Sequence, residues 1–289
     1  MGLGWHSLDM HWIVTLTVAL TSLTFGAAST AHEPLIQIHQ QTEISRTYGS
    51  AISDSEGGEG NSRGRTAIIE TMVRSGQDGV ELTFDLPSSA TEQDRNRQWF
   101  YPARILRRSD GFMVLLNRSE LEERRDRWLL GGGMTSNDCG RLVFTWTAFR
   151  IECDPDQAVQ DLAAYDILSF AVREGAMLSD PQARAPAALT EVEGSHGRRF
   201  RAVLQLDPAA IMRERAEVDA ALAEIASLAG EKRSVERVSG TIEVFFDVDE
   251  AGVAFRRIRT LRMETVTAPN FSENETRVEV IERRKLEPA

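Results

Sequence analysis

The sequence predicts an α+β fold, a curved antiparallel sheet of hairpins and a meander with two to three helices packed on one face. Residues 80–86 alternate apolar and polar side chains with the period of a half-buried strand. Asp154-Pro155 and Asp207-Pro208 each place a capping residue and a first-turn proline before a helical pattern. The chain ends in three β-type runs, the order typical of a meander, over residues 240–248, 253–266 and 276–286.

The N-terminal segment has the layout of a secretory signal peptide. Residues 12–28 are largely apolar, and small side chains follow up to Ala31, as signal peptidases require. We expect cleavage after Ala31, a periplasmic or secreted product and no stable membrane span in the mature chain. The start has no Lys or Arg and carries Asp9, so the sequence leaves open whether translation begins at Met1 or Met10.

The charge balance of the chain is acidic, with 44 Asp and Glu against 33 Lys and Arg and a net charge of −11. Nucleic acids need a basic surface for their phosphates, so we expect no nucleic-acid partner. Arginine supplies nearly all of the positive charge, which we interpret as the usage of a GC-rich bacterial genome.

The composition divides the chain into four segments. They are the signal peptide (1–31), an N-terminal α+β region with a disulfide (32–178), a Pro- and Ala-containing linker (179–198) and a C-terminal strand, helix and meander region (199–289). The sequence leaves open whether the two folded regions share one sheet.

In the N-terminal region the pattern predicts short strands joined by turns. A first strand is expected within residues 35–48, a mobile Ser- and Gly-rich loop over 53–64, a hairpin from 66–73 and 80–86, and a further strand over 112–116. In the hairpin's second strand, Leu82 and Phe84 are expected to face the core, and Glu81 is expected to face water.

Trp99-Phe100-Tyr101-Pro102 is the densest aromatic cluster of the chain. Such a cluster is either a ligand platform or a plug between packed elements, and we favour the plug because buried aromatic side chains usually fill cores. Ser119-x-x-Glu122 fits a capping box, which predicts a helix to about Leu130 that ends at the glycines 131–133.

Cys139 and Cys153 are the two cysteines of the chain, and an even number in an exported protein predicts a disulfide. The sequence between them is rich in strand-forming residues. A straight strand would hold the two cysteines about 45 Å apart, whereas a disulfide needs Cα atoms within about 7 Å. We therefore expect a stapled hairpin that reverses near residues 145–148.

Two further helices follow. One begins at Asp154-Pro155, and its apolar positions are Val159, Leu162, Ala163 and Ile167. After a strand over residues 200–206, the longest helix is expected over 209–229, and it should lie on a sheet. Its apolar stripe consists of Ile211, Val218, Leu222, Ile225 and Ala229.

The sequence contains no strong catalytic motif, and we assign no catalytic residue, metal site, cofactor or ligand-binding residue. Ser195-His196 lies in the predicted linker. A serine hydrolase needs a histidine held by an acid near the nucleophile on a rigid scaffold, and adjacency in the sequence does not provide this, so we expect a solvated loop histidine. The run 247–252 carries acidic residues that resemble the start of a calcium loop. Such a loop needs Glu at its twelfth position, and the twelfth residue from Asp247 is Ile258, so we expect a hairpin turn. A zinc site needs four ligands, and the mature chain offers two cysteines and three scattered histidines.

These features favour an exported, soluble envelope protein that is not an enzyme and that binds an apolar or lipid-like ligand or an envelope protein. Two alternatives stay open. One is a periplasmic hydrolase that uses dispersed carboxylates, whose spacing in the sequence carries no signal. The other is a purely structural or assembly factor, which would bind partners through a helix or an open sheet edge.

Overall fold

A computed structural model describes residues 36–144, 148–194, 197–224, 235–267 and 271–287. The predicted signal peptide, its cleavage site, Ser195-His196 and the last positions of the predicted long helix lie outside the described residues. All structural statements below concern the described ranges.

Ten strands form one open, fully antiparallel sheet, and two small two-stranded sheets accompany it. In chain order the strands are β1 (Ile36–Asp54), β2 (Glu59–Gly76), β3 (Gly79–Asp85), β4 (Ala103–Arg107), β5 (Met113–Leu115), β6 (Leu142–Phe144), β7 (Ala148–Arg150), β8 (Met177–Leu178), β9 (Ala187–Ala188), β10 (Thr190–Val192), β11 (Arg198–Gln205), β12 (Val235–Val248), β13 (Ala254–Thr267) and β14 (Phe271–Lys285). The main sheet has the order β10-β11-β12-β13-β14-β1-β2-β3-β4-β5. The predicted antiparallel sheet and its C-terminal meander are confirmed.

The first and last long strands pair at the middle of the main sheet. Thr42 of β1 lies opposite Lys285 of β14, and the register continues to Asp54 opposite Glu273. Strands from both predicted regions therefore belong to one sheet. The division of the chain at residues 179–198 stays a prediction, although β10 within that range pairs with β11.

Four helices connect these strands, namely α1 (Glu92–Arg97), α2 (Arg118–Gly131), α3 (Pro155–Ala163) and α4 (Pro208–Glu224). The side chain of Asp154 accepts a hydrogen bond from the N–H of Asp156 at 3.0 Å. Asp207 accepts one from the N–H of Ala209 at 3.1 Å. Both Asp-Pro pairs therefore mark helix starts, as predicted.

The predicted cap of α2 is wrong by two residues. The helix begins at Arg118 after Asn117, so Ser119 lies inside the first turn. The Asn117 side chain is buried, and it accepts from the N–H of Arg104 at 2.9 Å and donates to the carbonyl of Pro102 at 3.2 Å. Asn117 thus ties the start of α2 to β4.

The loop predicted over residues 53–64 is also wrong, because most of it is strand. β1 and β2 pair continuously from Ile44 opposite Ile68 to Ser53 opposite Glu59. β14 extends along β1 on the other side, with Ser53 opposite Asn274. The backbone pairing on both sides of β1 outweighs the weak strand propensity of the glycines and serines.

The buried core lies on one face of the main sheet. Cross-strand partners share a face, and the fully buried partners are Ile44 with Ile68, Leu82 with Ile105, and Ile242 with Leu204 and Leu261. Leu162 of α3 and Ile211 of α4 belong to the same core. This common face brings apolar residues from both ends of the chain together.

Two predicted orientations are wrong. Glu81 is buried rather than solvent-facing, because it pairs with Arg74 at 2.5 Å and Arg104 at 2.8 Å. Val218 of α4 is 54% exposed, although Ile211, two turns earlier on the same predicted stripe, is buried. The described part of α4 therefore uses its first turns, and not the whole predicted stripe, to contact the core.

Cys139 and Cys153 form the predicted disulfide, with Cα atoms 5.6 Å apart. β6 and β7 pair antiparallel between the two cysteines, which confirms the stapled hairpin, and its reversal at 145–147 lies outside the described residues. Arg125 of α2 donates to the carbonyl of Cys153 at 3.2 Å. The hairpin is thereby attached to α2.

Candidate functional site

The aromatic segment 99–101 borders two clefts. One lies between α1 and α2 and has a volume of about 980 Å³, and the other lies between this segment, β2 and α3 and has a volume of about 580 Å³. Trp99 and Tyr101 are buried, as the plug hypothesis predicts. The same side chains also form cleft walls, so the ligand-platform alternative keeps structural support.

The α1–α2 cleft has an aromatic wall. Trp99 and Tyr101, which follow α1, and Trp128 of α2 all line it. The rings of Trp99 and Phe100 meet edge to face with centroids 5.9 Å apart, a favourable arrangement that holds the segment in place. The cleft thus offers aromatic surface from two segments of the chain.

The same cleft is rich in arginine. Arg95 and Arg97 come from α1, and Arg124 and Arg127 come from α2, whereas Glu92 is the carboxylate among the described lining residues. Arg95 donates to the carbonyl of Pro87 at 3.1 Å. The cleft is therefore locally cationic in an acidic chain.

Arg124 lies deepest in this group. Its Nη2 donates to the carbonyl of Pro102 at 2.6 Å, and its Nε donates to the carbonyl of Glu120 at 3.3 Å. Its Nη1 is buried, and within the described residues no atom accepts a hydrogen bond from it. Burial lowers the pKa of the Arg124 guanidinium, against the opposing effect of Glu120.

The second cleft is mixed in charge. Arg46, Asp94 and Asp161 line it together with Tyr165. Asp94 belongs to the capping box of α1, and its hydrogen bonds with Thr91 hold the pKa of this carboxyl below its usual value. The Tyr165 hydroxyl is 2.7 Å from the Thr66 hydroxyl. Asp161 accepts from the Gln157 amide at 3.0 Å, and Arg46 pairs with Glu279. Each of these polar groups therefore already has a hydrogen-bond partner.

A stripe of ion pairs centred on β14 crosses the core face of the sheet. Glu279 accepts from Arg46 Nε at 2.7 Å and from Arg257 Nη2 at 2.6 Å. Burial alone would raise the pKa of Glu279, but the two guanidinium groups outweigh burial and lower it. Arg283, the cross-strand partner of Ile44, pairs with the buried Glu70. The cations beside Glu279 thus favour its ionised form.

The predicted features with possible chemistry do not converge on one site. Asp249 forms the expected turn between β12 and β13. Its N–H donates to the carbonyl of Val253, its carbonyl accepts from the N–H of Gly252, and its side chain accepts from the N–H of Val253. The disulfide lies in the hairpin attached to α2. Sequence reasoning missed the arginine cluster, although the arginines that flank the noted aromatic segment were a usable signal in an acidic chain.

No protein-family model matches the chain, and no curated protein matches it. Among solved structures, it is similar to one titled as lipid–protein interactions in lipovitellin, with a TM-score of 0.32 and 10% sequence identity. The match covers 88% of this chain and 26% of that chain, so the chain spans a minor part of the lipovitellin chain. A likeness this weak carries no argument about function.

Helices able to cross a bilayer are absent from the described residues, since none combines the necessary length and apolar character.

Proposed function

We propose that the protein is exported to the periplasm or the cell exterior and there binds an apolar or lipid-like ligand without catalysing a reaction. The observation that carries the proposal is the aromatic wall of the α1–α2 cleft, formed by Trp99, Tyr101 and Trp128. Ligand pockets commonly have volumes of about 300–1,000 Å³ and mainly apolar or aromatic walls with a few polar groups. The α1–α2 cleft has a volume in this range and three aromatic side chains in its wall, although it carries more polar and charged residues than a typical apolar pocket.

In this proposal the sheet is curved, and the helices cover its core face. Leu162 of α3 and Ile211 of α4 support the arrangement, because both are buried in the cluster that contains Ile44 and Ile242. α1 and α2 then lie beside this covered core and leave the cleft between them open to a ligand.

Export is supported by the disulfide. Structural disulfides persist in oxidising compartments and are rare in the cytosol, and Cys139 and Cys153 are bonded. Fractionation of cells that express the full chain, followed by N-terminal sequencing of the product, tests this part. A mature N-terminus at His32 supports it, and an intact cytosolic chain with free thiols contradicts it.

The hydrolase alternative has less support. A catalytic acid needs a carboxyl whose pKa is raised towards neutrality. Asp180 instead pairs with Arg259 at 2.7 Å; burial acts to raise the pKa of Asp180, but the pairing outweighs burial and lowers it. The pKa of Glu279 is lowered in the same way. Both carboxyls are suited to structural ion pairs.

Native mass spectrometry and lipid extraction of the protein purified from the periplasm test ligand binding. We expect a co-purifying lipid or another apolar molecule. Trp128→Ala should reduce its retention about tenfold, because the loss of one aromatic contact costs about 1.5 kcal/mol or more. Phe112→Ala is the matched control, since Phe112 is 71% exposed and lies outside the cleft.

Two results would overturn the proposal. One is a purified protein that carries no apolar molecule and binds none when it is offered in detergent. The other is a protein partner that co-purifies in stoichiometric amount and is retained equally by Trp128→Ala, which would favour the envelope-partner or assembly alternative.

A further inference from the structure

We infer that the α1–α2 cleft selects ligands with an anionic oxygen headgroup, such as phosphate or carboxylate, joined to an apolar body. This inference rests on the proposed function and names the chemical class of its ligand. It comes from the pairing of arginine side chains with aromatic rings in one cleft.

The first argument is local charge. Arg95, Arg97, Arg124 and Arg127 line the cleft against the carboxylate of Glu92, although the whole chain has a net charge of −11. Arg95 pairs with Asp85 at 3.4 Å. The other three arginines form no ion pair with the described residues, whereas arginines such as Arg46 and Arg257 on the core face are neutralised by carboxylates. The cleft therefore concentrates positive charge in a chain whose net charge is negative.

The second argument is the hydrogen-bonding state of Arg124. Two of its nitrogens bind backbone carbonyls, and Nη1 is buried without an acceptor among the described residues. A buried donor without a partner is destabilising. An oxyanion at the base of the cleft would supply the acceptor after small side-chain shifts, which commonly accompany binding.

The third argument is geometry. Guanidinium groups bind phosphate and carboxylate oxygens through paired hydrogen bonds. Arg97 of α1 and Arg127 of α2 are exposed and line the cleft, which Trp128, next to Arg127 in the sequence, also lines. A headgroup between these arginines would place an attached apolar chain against the tryptophan rings.

Binding measurements with three probes test the inference on the full mature chain. The probes are dodecyl phosphate and dodecyl maltoside, both below their micellar concentrations, and inorganic phosphate. Isothermal titration calorimetry at low salt should show dodecyl phosphate binding at least about tenfold tighter than dodecyl maltoside, the gain of one charge-assisted contact. Higher salt should weaken the binding of dodecyl phosphate and leave that of dodecyl maltoside nearly unchanged.

The variants Arg97→Gln and Arg127→Gln identify the site. Combined, they should lower the affinity for dodecyl phosphate about tenfold and bring it close to that for dodecyl maltoside. Arg173→Gln combined with Arg213→Gln is the matched control, because both are exposed arginines outside the cleft and the double substitution removes the same two charges. Circular dichroism establishes that each variant is folded.

The outcomes separate the inference from the proposed function. Equal binding of the two dodecyl compounds overturns the headgroup selectivity and leaves the proposed function standing. Binding of neither compound overturns both. If inorganic phosphate binds as tightly as dodecyl phosphate, the site takes a free oxyanion, and the assignment of an apolar body is overturned.

Discussion

The ring of Tyr48 in β1 lies across the α-carbon of Gly64, its partner in β2. A Cβ atom at Gly64 would lie 2.1 Å from the Tyr48 Cζ and Oη atoms. Tyr48 is 48% exposed, so the ring covers backbone that would otherwise face water. This contact fills the space of an absent side chain in the segment whose composition predicted a loop.

Gly64→Ala should lower the free energy of unfolding by about 1 kcal/mol, because the added methyl group displaces the Tyr48 ring. In a Tyr48→Ala background the same substitution should be neutral or slightly stabilising, since glycine costs more backbone entropy than alanine in a strand. Urea denaturation of the four proteins gives the coupling energy. An equal cost in both backgrounds would show that the ring does not cause the effect.

Gly240→Ala should be more costly, about 3 kcal/mol. Its Cβ atom would lie 2.2 Å from the carbonyl oxygen of Arg262 on the neighbouring strand, and this backbone atom cannot move without disturbing the sheet. Gly60→Ala is the control, because a Cβ atom there meets nothing within 4 Å among the described residues. Thermal and urea denaturation should rank the two variants in this order, and similar costs would contradict the close approach.

Asn117→Ala should destabilise the protein by about 2 kcal/mol, because it leaves the Arg104 N–H and the Pro102 carbonyl without their buried partner. Ser119→Ala should change stability by less than about 0.5 kcal/mol, since Ser119 is an exposed residue inside α2. Chemical denaturation separates the two. The reverse ranking would restore Ser119 as the helix cap.

Glu81→Gln should alter the acid dependence of stability. The hydrogen bond from Arg104 is the main cause that lowers the pKa of Glu81, and Arg74 adds to it. A lowered folded-state pKa stabilises the protein above the unfolded value of about 4.3, and this contribution is lost as the pH falls through the folded-state pKa. Glu81→Gln should therefore be less stable by about 1 kcal/mol at pH 7 and show a smaller loss of stability below about pH 4.

Urea denaturation from pH 7 to pH 3 provides the measurement for Glu81→Gln. Glu250→Gln, in the exposed turn between β12 and β13, should keep the wild-type profile. If the profile of Glu81→Gln also matches the wild type, Glu81 does not contribute to the acid sensitivity of the fold.

Reduction of the disulfide should lower the free energy of unfolding by about 3 kcal/mol, the value expected for a closed loop of this size. Cys139 and Cys153 are 14 residues apart in the sequence. A variant with both cysteines changed to serine should match the reduced wild type in urea denaturation. Hydrogen exchange should quicken first in β6 and β7, and unchanged exchange there would show that the hairpin is stable without the bond.

The sequence allowed prediction of those elements that have local signals. Asp154 and Asp207 were recognisable as helix starts because capping involves neighbouring residues, and the glycines at 76 and 79 marked the β2–β3 hairpin. Glu81 was assigned to water because it alternates with the apolar residues of its strand. Its partner Arg104 lies on another strand and gave no local signal. The pairing of Thr42 with Lys285 had no local signal, since contacts between distant strands depend on the assembled sheet.

The candidate site was predictable only in part. The aromatic segment that includes Trp99 was noted as a possible ligand platform, and its burial agrees with the plug hypothesis. Arg97 and Arg127 line one cleft only after α1 and α2 have folded. Their convergence depends on the β4–β5 hairpin, which lies between the two helices in the chain. The amino-acid composition contains no information about how this hairpin places them.

The pairing of β1 with β14 also determines when the molecule can finish folding. One edge of β1 can pair with β2, the next strand in the chain, but its other edge must wait for β14, so the centre of the sheet closes late, because contacts between distant segments slow folding. Pulse-labelling hydrogen exchange during refolding should find the amides that join β1 to β14 protected after those of the β2–β3 hairpin; earlier protection of the β1–β14 amides would contradict this order.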